Sequence, residues 1–193
     1  MISPVYLLGN PELRRITAVV ENNDQIVQTL IEEMIDTMHN ASGIGLAAPQ
    51  IGRSERIFVV DISPLKEDFI EEGKIMPDQP MVFINPEIID SSVEESEYDE
   101  GCLSIPDIHE LVFRPDVVVV RYLDRDFSEH TLECDGMLAR VIQHENDHLD
   151  GVLFLDHITP LRRRLLKRRL KDITAGEIDT DYPVFAVGKG ALI

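Results

Sequence analysis

Apolar residues recur along two stretches of the chain with the period of an α-helix. The first stretch runs from about Asp24 to His39, and the Asp24 carboxylate can cap its first turn. The second begins after Asp135 and continues to Leu149, and Gly151 suits the left-handed turn that commonly ends a helix. We therefore expect two amphipathic helices, each burying one apolar face against the rest of the molecule. Their apolar positions are Ile26, Leu30, Met34, Ile35 and Met38 in the first, and Leu138, Val141, Ile142 and Leu149 in the second.

Short runs of β-branched and aromatic residues predict strands between and after these helices. The clearest is Val117–Leu123, which is followed by a turn at 124–126 and a returning strand at 130–134. Further strands are expected at 56–62, 81–86, 87–89 and 182–187, with a break after Pro86. Strands joined mostly by turns, with helices set against them, are typical of an α+β fold. We predict mainly antiparallel sheets packed around a central helix that carries residues 143–148, with further helices in the N-terminal and C-terminal parts.

Length and composition favour one globular domain. The chain has 193 residues, 44% apolar and 28% charged, and we expect a single domain over 1–193 in which 161–193 form a basic helix and a strand. The net charge of −18 argues against binding to DNA, because phosphates repel an acidic surface. No stretch approaches the roughly 18 consecutive apolar residues of a membrane span, and the first residues do not resemble a signal peptide. A cytoplasmic location without membrane contact is the resulting expectation.

Two segments differ in charge and composition from their surroundings. Residues 161–173 contain seven basic side chains, which locally reverse the sign of charge in an acidic protein. Such a pattern is typical of a solvated helix face beside acidic neighbours, or of a contact with an anionic partner. Residues 63–80 are polar, acidic and interrupted by proline, which predicts a long surface insertion.

Residues 143–148 contain the pattern H-E-x-x-H, which is typical of a metal site. On a helix, His144 and His148 lie one turn apart on the same face, so both imidazoles can bind one metal ion. Glu145 follows His144 directly and can reach a water molecule on that ion without being a ligand. Two imidazoles and a carboxylate base are a minimal hydrolytic metal site, which needs one more protein ligand.

The third ligand has several candidates in the sequence. One class of metallopeptidase continues the motif to a third histidine, but Phe154 occupies that position here. Another class takes a glutamate from a later helix, and the only glutamate beyond the motif is Glu177, directly after the helix-ending Gly176. The upstream Cys102 would complete a thiolate and two-imidazole set with a fourth position open for water. Taken alone, however, a single cysteine is more often a buried core residue, which is our interpretation of Cys134.

Three motifs together resemble the peptide deformylase family. They are Gly43–Gln50 with the sequence GIGLAAPQ, Glu100–Ser104 with EGCLS, and Gln143–Gly151 with QHENDHLDG. Their order and separations match those of the family, and the resemblance extends over roughly residues 3 to 160. It implies an amide hydrolase that removes the N-formyl group from the N-terminal formylmethionine of newly made polypeptides and releases formate.

The resemblance also implies roles for individual residues. Cys102, His144 and His148 would bind the metal, which is typically Fe(II) in this family and can be replaced by Ni, Co or Zn. Glu145 would accept a proton from the attacking water and deliver it to the leaving amine. The Gln50 side-chain amide and the Leu103 backbone N–H would stabilise the oxyanion.

Substrate and partner contacts are implied in the same way. The peptide would lie extended against Gly43, Ile44 and Gly45, and its methionine side chain would enter an apolar pocket lined by Ile44, Met137, Val141 and the His144 ring. An ion pair between Glu100 and Arg114 would brace the cysteine loop. His109 stands where many members carry an arginine near the substrate backbone. Besides N-formylmethionyl nascent peptides, the resemblance suggests a transient ribosome contact through the basic helix 161–173.

Two rival functions make different predictions. A metallopeptidase that cuts internal peptide bonds would use Glu177 or another downstream residue as its third ligand. A non-enzymatic module would dock an anionic partner through its basic helix and would be indifferent to the loss of Glu145.

Overall fold

The computed structural model describes residues 1–71 and 73–192. The first half contains β1 (Val5–Tyr6), α1 (Gln25–Asn40), β2 (Gly45–Ala47), β3 (Ile57–Val60), α2 (Lys66–Glu71), β4 (Met81–Ser91) and β5 (Glu95–Cys102). The second half contains β6 (Ile105–Pro115), β7 (Val117–Leu123), β8 (Glu129–Asp135), α3 (Gly136–Leu149), α4 (Pro160–Leu165), α5 (Lys167–Thr174), β9 (Val184–Ala186) and β10 (Gly190–Leu192).

The strands form sheets that are mainly antiparallel, as the sequence predicts. One sheet has the order β2-β3-β4-β7-β8, and β5 pairs with β6 in a separate hairpin. A third sheet has the order β1-β9-β10 and joins the two ends of the chain, because β1 and β9 pair in parallel. The mixture of helices and antiparallel sheets confirms the predicted α+β class.

Helix α1 forms where the apolar period predicted it. The Asp24 carboxylate accepts hydrogen bonds from the backbone N–H groups of Ile26 and Val27, which satisfies two free donors of the first turn. Leu30 and Met34 are fully buried against the large sheet. Ile26, which the pattern placed on the apolar face, is exposed because it lies in the first turn, outside this contact.

Helix α3 carries the H-E-x-x-H motif and packs against β2, β3, β7 and β8. Its apolar residues Leu138 and Ile142 join a core that contains the stacked rings of Phe58 and Phe83. The helix is followed by Gly151 with φ +71°, where a Cβ would come within 2.7 Å of the Arg14 carbonyl oxygen. Only glycine fits this turn, which confirms its predicted position at the end of the helix.

The predicted break after Pro86 is wrong. β4 is continuous, and the register shifts between Ile84 and Glu87 because Asn85 adopts φ +51°. The Asn85 amide both donates to the carbonyl of Val20 and accepts from its N–H, at 2.8 Å each. Proline is tolerated here because a bulge leaves its missing donor outside the ladder.

The bounds of other helices and strands also differ from those that the sequence predicts. The single basic helix expected at 161–173 is divided into α4 and α5, which meet at Leu166. The insertion at 63–80 contains the short helix α2, and the last predicted strand is reduced to β9 and followed by β10. None of the described helices has both the length and the apolar composition needed to cross a bilayer.

Candidate metal centre

Helix α3 and the end of β5 bring three potential metal ligands together. The rings of His144 and His148 have centroids 5.0 Å apart on one face of the helix. The Cys102 sulfur lies 3.3 Å from His148 Nε2. The ligand atoms of all three residues lie within 4.8 Å of one another. One thiolate and two imidazoles fit a divalent transition metal and leave a coordination position open.

The surroundings of the two histidines act on their pKa in opposite directions, and each effect is compatible with a bound cation. Burial lowers the pKa of His148 well below its ordinary value, so the neutral imidazole that a metal requires is favoured. Burial acts in the same direction on His144, but hydrogen bonds to Cys102 and Glu100 outweigh it and raise the pKa of His144 to about 10. The groups around this ring therefore favour a positive charge, which a metal cation would supply.

Glu100 orients His144 from the side opposite the other ligands. Its Oε2 lies 3.0 Å from His144 Nδ1, which leaves Nε2 of that ring for the metal. Arg114 donates to both Glu100 oxygens, at 2.7 and 3.0 Å, and Arg140 donates to one of them at 2.8 Å. Burial alone would raise the pKa of Glu100, but bonds from His144 and Arg114 lower it far below its ordinary value. The ion pair between Glu100 and Arg114 is therefore present and buried.

The same network extends to residues that the sequence analysis did not single out. Arg114 also donates to Asp147 at 2.7 Å, and Asp147 lies 2.7 Å from His157 Nε2. Arg140 is buried and donates to the carbonyl of Val112 in β6 at 2.9 Å. One signal was available for Arg140, because it precedes His144 by four residues and so shares its helix face.

Glu145 lies between this helix and the glycine-rich segment. It is buried, and its Oε2 has no hydrogen-bond partner among the described residues. Burial raises the pKa of Glu145 to about 7. A Cβ at Gly45 would overlap Glu145 Oε1 and lie 2.8 Å from its carboxyl carbon, so glycine at position 45 makes room for this side chain.

Gln50 is held rigidly beside the cysteine. It lies on a short 3₁₀ turn, Ala48–Ile51, and is almost fully buried. Its Oε1 accepts from the N–H of Ala47 at 2.8 Å, which fixes the orientation of the amide. Its Nε2 then points to Ser104 Oγ at 3.3 Å and Cys102 Sγ at 3.5 Å. An amide donor is thus placed next to the candidate metal ligand Cys102.

A cavity of about 620 Å³ opens onto these groups. Every position that the sequence analysis assigned to catalysis, metal binding or substrate binding lines it, except the buried His148. The lining positions among them are Gly43, Ile44, Gly45, Gln50, Cys102, Leu103, Met137, Val141, His144 and Glu145. His109 is also at its rim, where its ring lies 3.7 Å from an Asp99 oxygen. The segment 179–182 completes the wall and was not predicted.

The two residues considered as alternatives lie elsewhere. Among the described residues, the ligand cluster and the cavity wall do not include Glu177, which is exposed after the end of α5. Cys134 is in the core beside α3, where burial raises the pKa of its thiol to about 12. The arrangement therefore places Cys102, and not Glu177, with the two histidines.

Comparison with known proteins agrees with this geometry. The sequence profile of the family described as polypeptide deformylase matches residues 2–164. A peptide deformylase from Salinibacter ruber is 54% identical over 184 residues, which cover 95% of this chain and 94% of that protein. The crystal structure of a peptide deformylase from Legionella pneumophila has a TM-score of 0.80 at 40% identity and covers 92% of this chain and 98% of that one. A peptide deformylase from Synechococcus elongatus in complex with actinonin has a TM-score of 0.75 at 35% identity, with coverages of 91% and 87%.

Proposed function

Because the chain belongs to the polypeptide deformylase family, we propose that Cys102, His144 and His148 hold the metal on which the family's activity depends. The enzyme is an amide hydrolase that removes the N-formyl group from newly made polypeptides. The observation that carries the assignment of ligands is the convergence of one sulfur and two imidazoles within 4.8 Å.

Iron(II) is proposed as the native metal, with Ni, Co or Zn able to replace it. The mixed sulfur and nitrogen donors suit each of these ions. When bound, such a metal supplies Lewis acidity to the formyl carbonyl and to the attacking water. The hydrogen bond from His144 to Glu100 supports this role, because a carboxylate on the far nitrogen fixes the ring and strengthens it as a donor.

Glu145 is proposed as the general base and acid. Its unpartnered carboxylate oxygen and its place in the cavity wall support this assignment. It would take a proton from the attacking water and hold it while the carbon–nitrogen bond is intact. It would then return the proton to the peptide nitrogen, so that formate and a free amino terminus leave.

Two donors are proposed to stabilise the oxyanion that develops on the formyl oxygen. One is Gln50 Nε2, which the bond from Ala47 to the other end of the amide holds in place. The second is the backbone N–H of Leu103, the residue that follows the cysteine ligand. Preorganised donors of this kind contribute on the order of 3 kcal/mol each, because they need no reorientation during the reaction.

The peptide substrate is proposed to add as a strand to the sheet at β2. β2 is at the edge of the five-stranded sheet, so one side of it is free of other strands among the described residues. An extended peptide can use such an edge for backbone hydrogen bonds. Ile44, Met137 and Val141 line the cavity nearby and would surround the methionine side chain.

The decisive test is anaerobic purification followed by metal analysis and measurement of formate release from a formyl-methionyl peptide. We expect about one iron per chain and formate release without cleavage of internal bonds. Actinonin, which the Synechococcus elongatus relative binds, is expected to inhibit the release. Cleavage of internal bonds in unformylated peptides, with the formyl group left intact, would support the metallopeptidase alternative instead.

A transient ribosome contact through the basic helices is also proposed. Some basic side chains of α4 and α5 are engaged within the chain, such as Arg162, which donates to both oxygens of Glu110 at 2.8 Å. Others are exposed and make no ion pair among the described residues, namely Arg164, Lys167, Arg168 and Lys171. Exposed cations of this kind suit a phosphate backbone. A cytoplasmic location follows from this partner and is part of the same proposal.

Co-sedimentation with ribosomes tests this contact. The double substitution Arg164→Glu and Arg168→Glu is expected to weaken binding by at least about tenfold, because two phosphate contacts become repulsive. Formate release from a short peptide should not change, since neither residue lines the cavity. Arg121→Glu, an exposed arginine on β7, is the control. Equal binding by the double variant and the control would reject the contact.

Two expectations about architecture stay predictions. The family profile ends at residue 164, so one catalytic domain over 1–193 is a proposal. That the sheets are organised around α3 as the central helix is supported by its contacts with β2, β3, β7 and β8.

A further inference from the structure

The segment that precedes β9 forms part of the cavity wall, although it follows the end of the family profile at residue 164. Residues 179–182 line the same cavity as Cys102 and Glu145. Their position depends on the parallel pairing of β1 with β9, in which Val5 N–H donates to the Pro183 carbonyl at 2.9 Å. Thr180 Oγ1 also donates to the carbonyl of Tyr182 at 2.8 Å, which closes a turn just before the strand.

Tyr182 reaches from this wall to the loop that carries the cysteine. Its hydroxyl donates to the carbonyl oxygen of Leu103 at 2.8 Å. The side chain is half-buried among the residues that pack around β1 and β9. Burial raises the pKa of the Tyr182 hydroxyl above its ordinary value, so this group stays a donor at neutral pH.

The loop around Leu103 is held at several points. Leu8 N–H donates to the carbonyl of Ser104 at 2.9 Å, and Gln50 Nε2 donates to Ser104 Oγ at 3.3 Å. The Leu103 side chain lies against Gly43, where a Cβ would come within 2.8 Å of Leu103 Cδ1. Tyr182 supplies the restraint on the Leu103 carbonyl, which is separated from the Leu103 N–H by a single α-carbon.

We propose that Tyr182 is a positioning residue, whose hydroxyl sets the orientation of the Leu103 backbone and thereby aims the Leu103 N–H at the formyl oxygen. The inference rests on the proposed role of that N–H in stabilising the oxyanion. A donor helps the transition state only if it is already aimed where charge develops, and small displacements reduce its effect strongly. The sheet formed by β1, β9 and β10 would thus act on catalysis through the backbone at Leu103, without contact with the reacting atoms.

The test compares Tyr182→Phe with Tyr6→Phe in the metal-loaded enzyme. Both changes remove one phenolic hydroxyl from the same region, since the Tyr6 ring stacks on Phe185 of β9 at a centroid distance of 4.6 Å. Tyr6 does not line the cavity. Tyr182→Phe is expected to lower kcat about fivefold, because one hydrogen bond is lost, while KM changes by less than about twofold. Tyr6→Phe should leave both constants unchanged.

Metal content, the absorption spectrum of the cobalt-loaded enzyme and the melting temperature are measured for both variants. An unchanged spectrum with a lower kcat would support positioning of Leu103, because the ligand sphere is then intact. A loss confined to KM, or an altered spectrum in Tyr182→Phe, would overturn the proposal and assign Tyr182 to substrate binding or to the metal site.

Gln50→Ala, assayed beside these variants, separates this proposal from the oxyanion site itself. A large loss in Gln50→Ala with wild-type turnover in Tyr182→Phe would reject positioning by Tyr182 and leave the oxyanion site standing. Wild-type turnover in each of the separate variants Gln50→Ala and Tyr182→Phe would reject both the oxyanion site and positioning by Tyr182.

Discussion

Replacement of Glu145 by glutamine is expected to lower kcat for formate release by about 10²- to 10⁴-fold, the range typical for the loss of a general base. Glutamine has nearly the same size and shape, so it should occupy the narrow space beside Gly45 that the carboxylate fills. It cannot accept the proton of the attacking water. Because Glu145 is not one of the three clustered ligands, the metal content of the variant should equal that of the wild type.

Steady-state formate release and metal analysis on the same preparation measure both parts of this expectation. The matched control is Glu177→Gln, which makes the same chemical change at the exposed glutamate after α5. This control also addresses the metallopeptidase alternative, in which Glu177 is a ligand. Loss of metal in Glu177→Gln, or wild-type turnover in Glu145→Gln, would contradict the assigned roles.

Replacement of Cys102 by serine is expected to remove both metal and activity. A serine hydroxyl stays protonated at neutral pH and cannot replace the thiolate, so only two imidazole ligands would remain. Loss of an outer-shell partner alone commonly costs 10- to 100-fold in metal affinity, and the loss of a direct ligand should exceed about 100-fold. Equilibrium dialysis against zinc, together with formate release, measures the effect.

The chain supplies a matched control in its second cysteine. Cys134 is buried in the core, where its sulfur lies 3.8 Å from the Val118 carbonyl oxygen. Cys134→Ser should reduce stability by about 1 kcal/mol or more through burial of a hydroxyl, but it should keep the metal. Metal retention and activity in Cys102→Ser would show that another residue completes the site.

Helices α1 and α3 were predictable because their signals are local. The caps and periodic apolar residues of α1 and α3 lie within each segment, so no distant contact was needed to locate them. The continuity of β4 could not be predicted in this way. It depends on the bonds between Asn85 and Val20, which are 65 residues apart, and these bonds stabilise a bulge where the pattern indicates a break.

The residues of the candidate site likewise fall into those with a sequence signal and those that depend on distant contacts. The histidines and Glu145 came from one motif, and the resemblance of three motifs pointed to Cys102 and Gln50. The spacing of Arg140 from His144 places both on one helix face, but it does not show that Arg140 is buried against Glu100. The contribution of Asp147 could not be located, because its partners Arg114 and His157 are known only from the structure. The Tyr182 contact depends on the parallel pairing of β1 with β9, and no local pattern encodes the pairing of strands from opposite ends of a chain.

The close approach of Gly45 to Glu145 restricts how this sequence can vary. A Cβ at position 45 would occupy the space of the Glu145 carboxylate, so any larger residue there must displace the side chain at 145. The two positions are 100 residues apart in sequence, yet a substitution at position 45 would move the side chain of Glu145. With Glu145 as the proposed general base, a larger residue at position 45 is expected to lower activity through the displaced carboxylate.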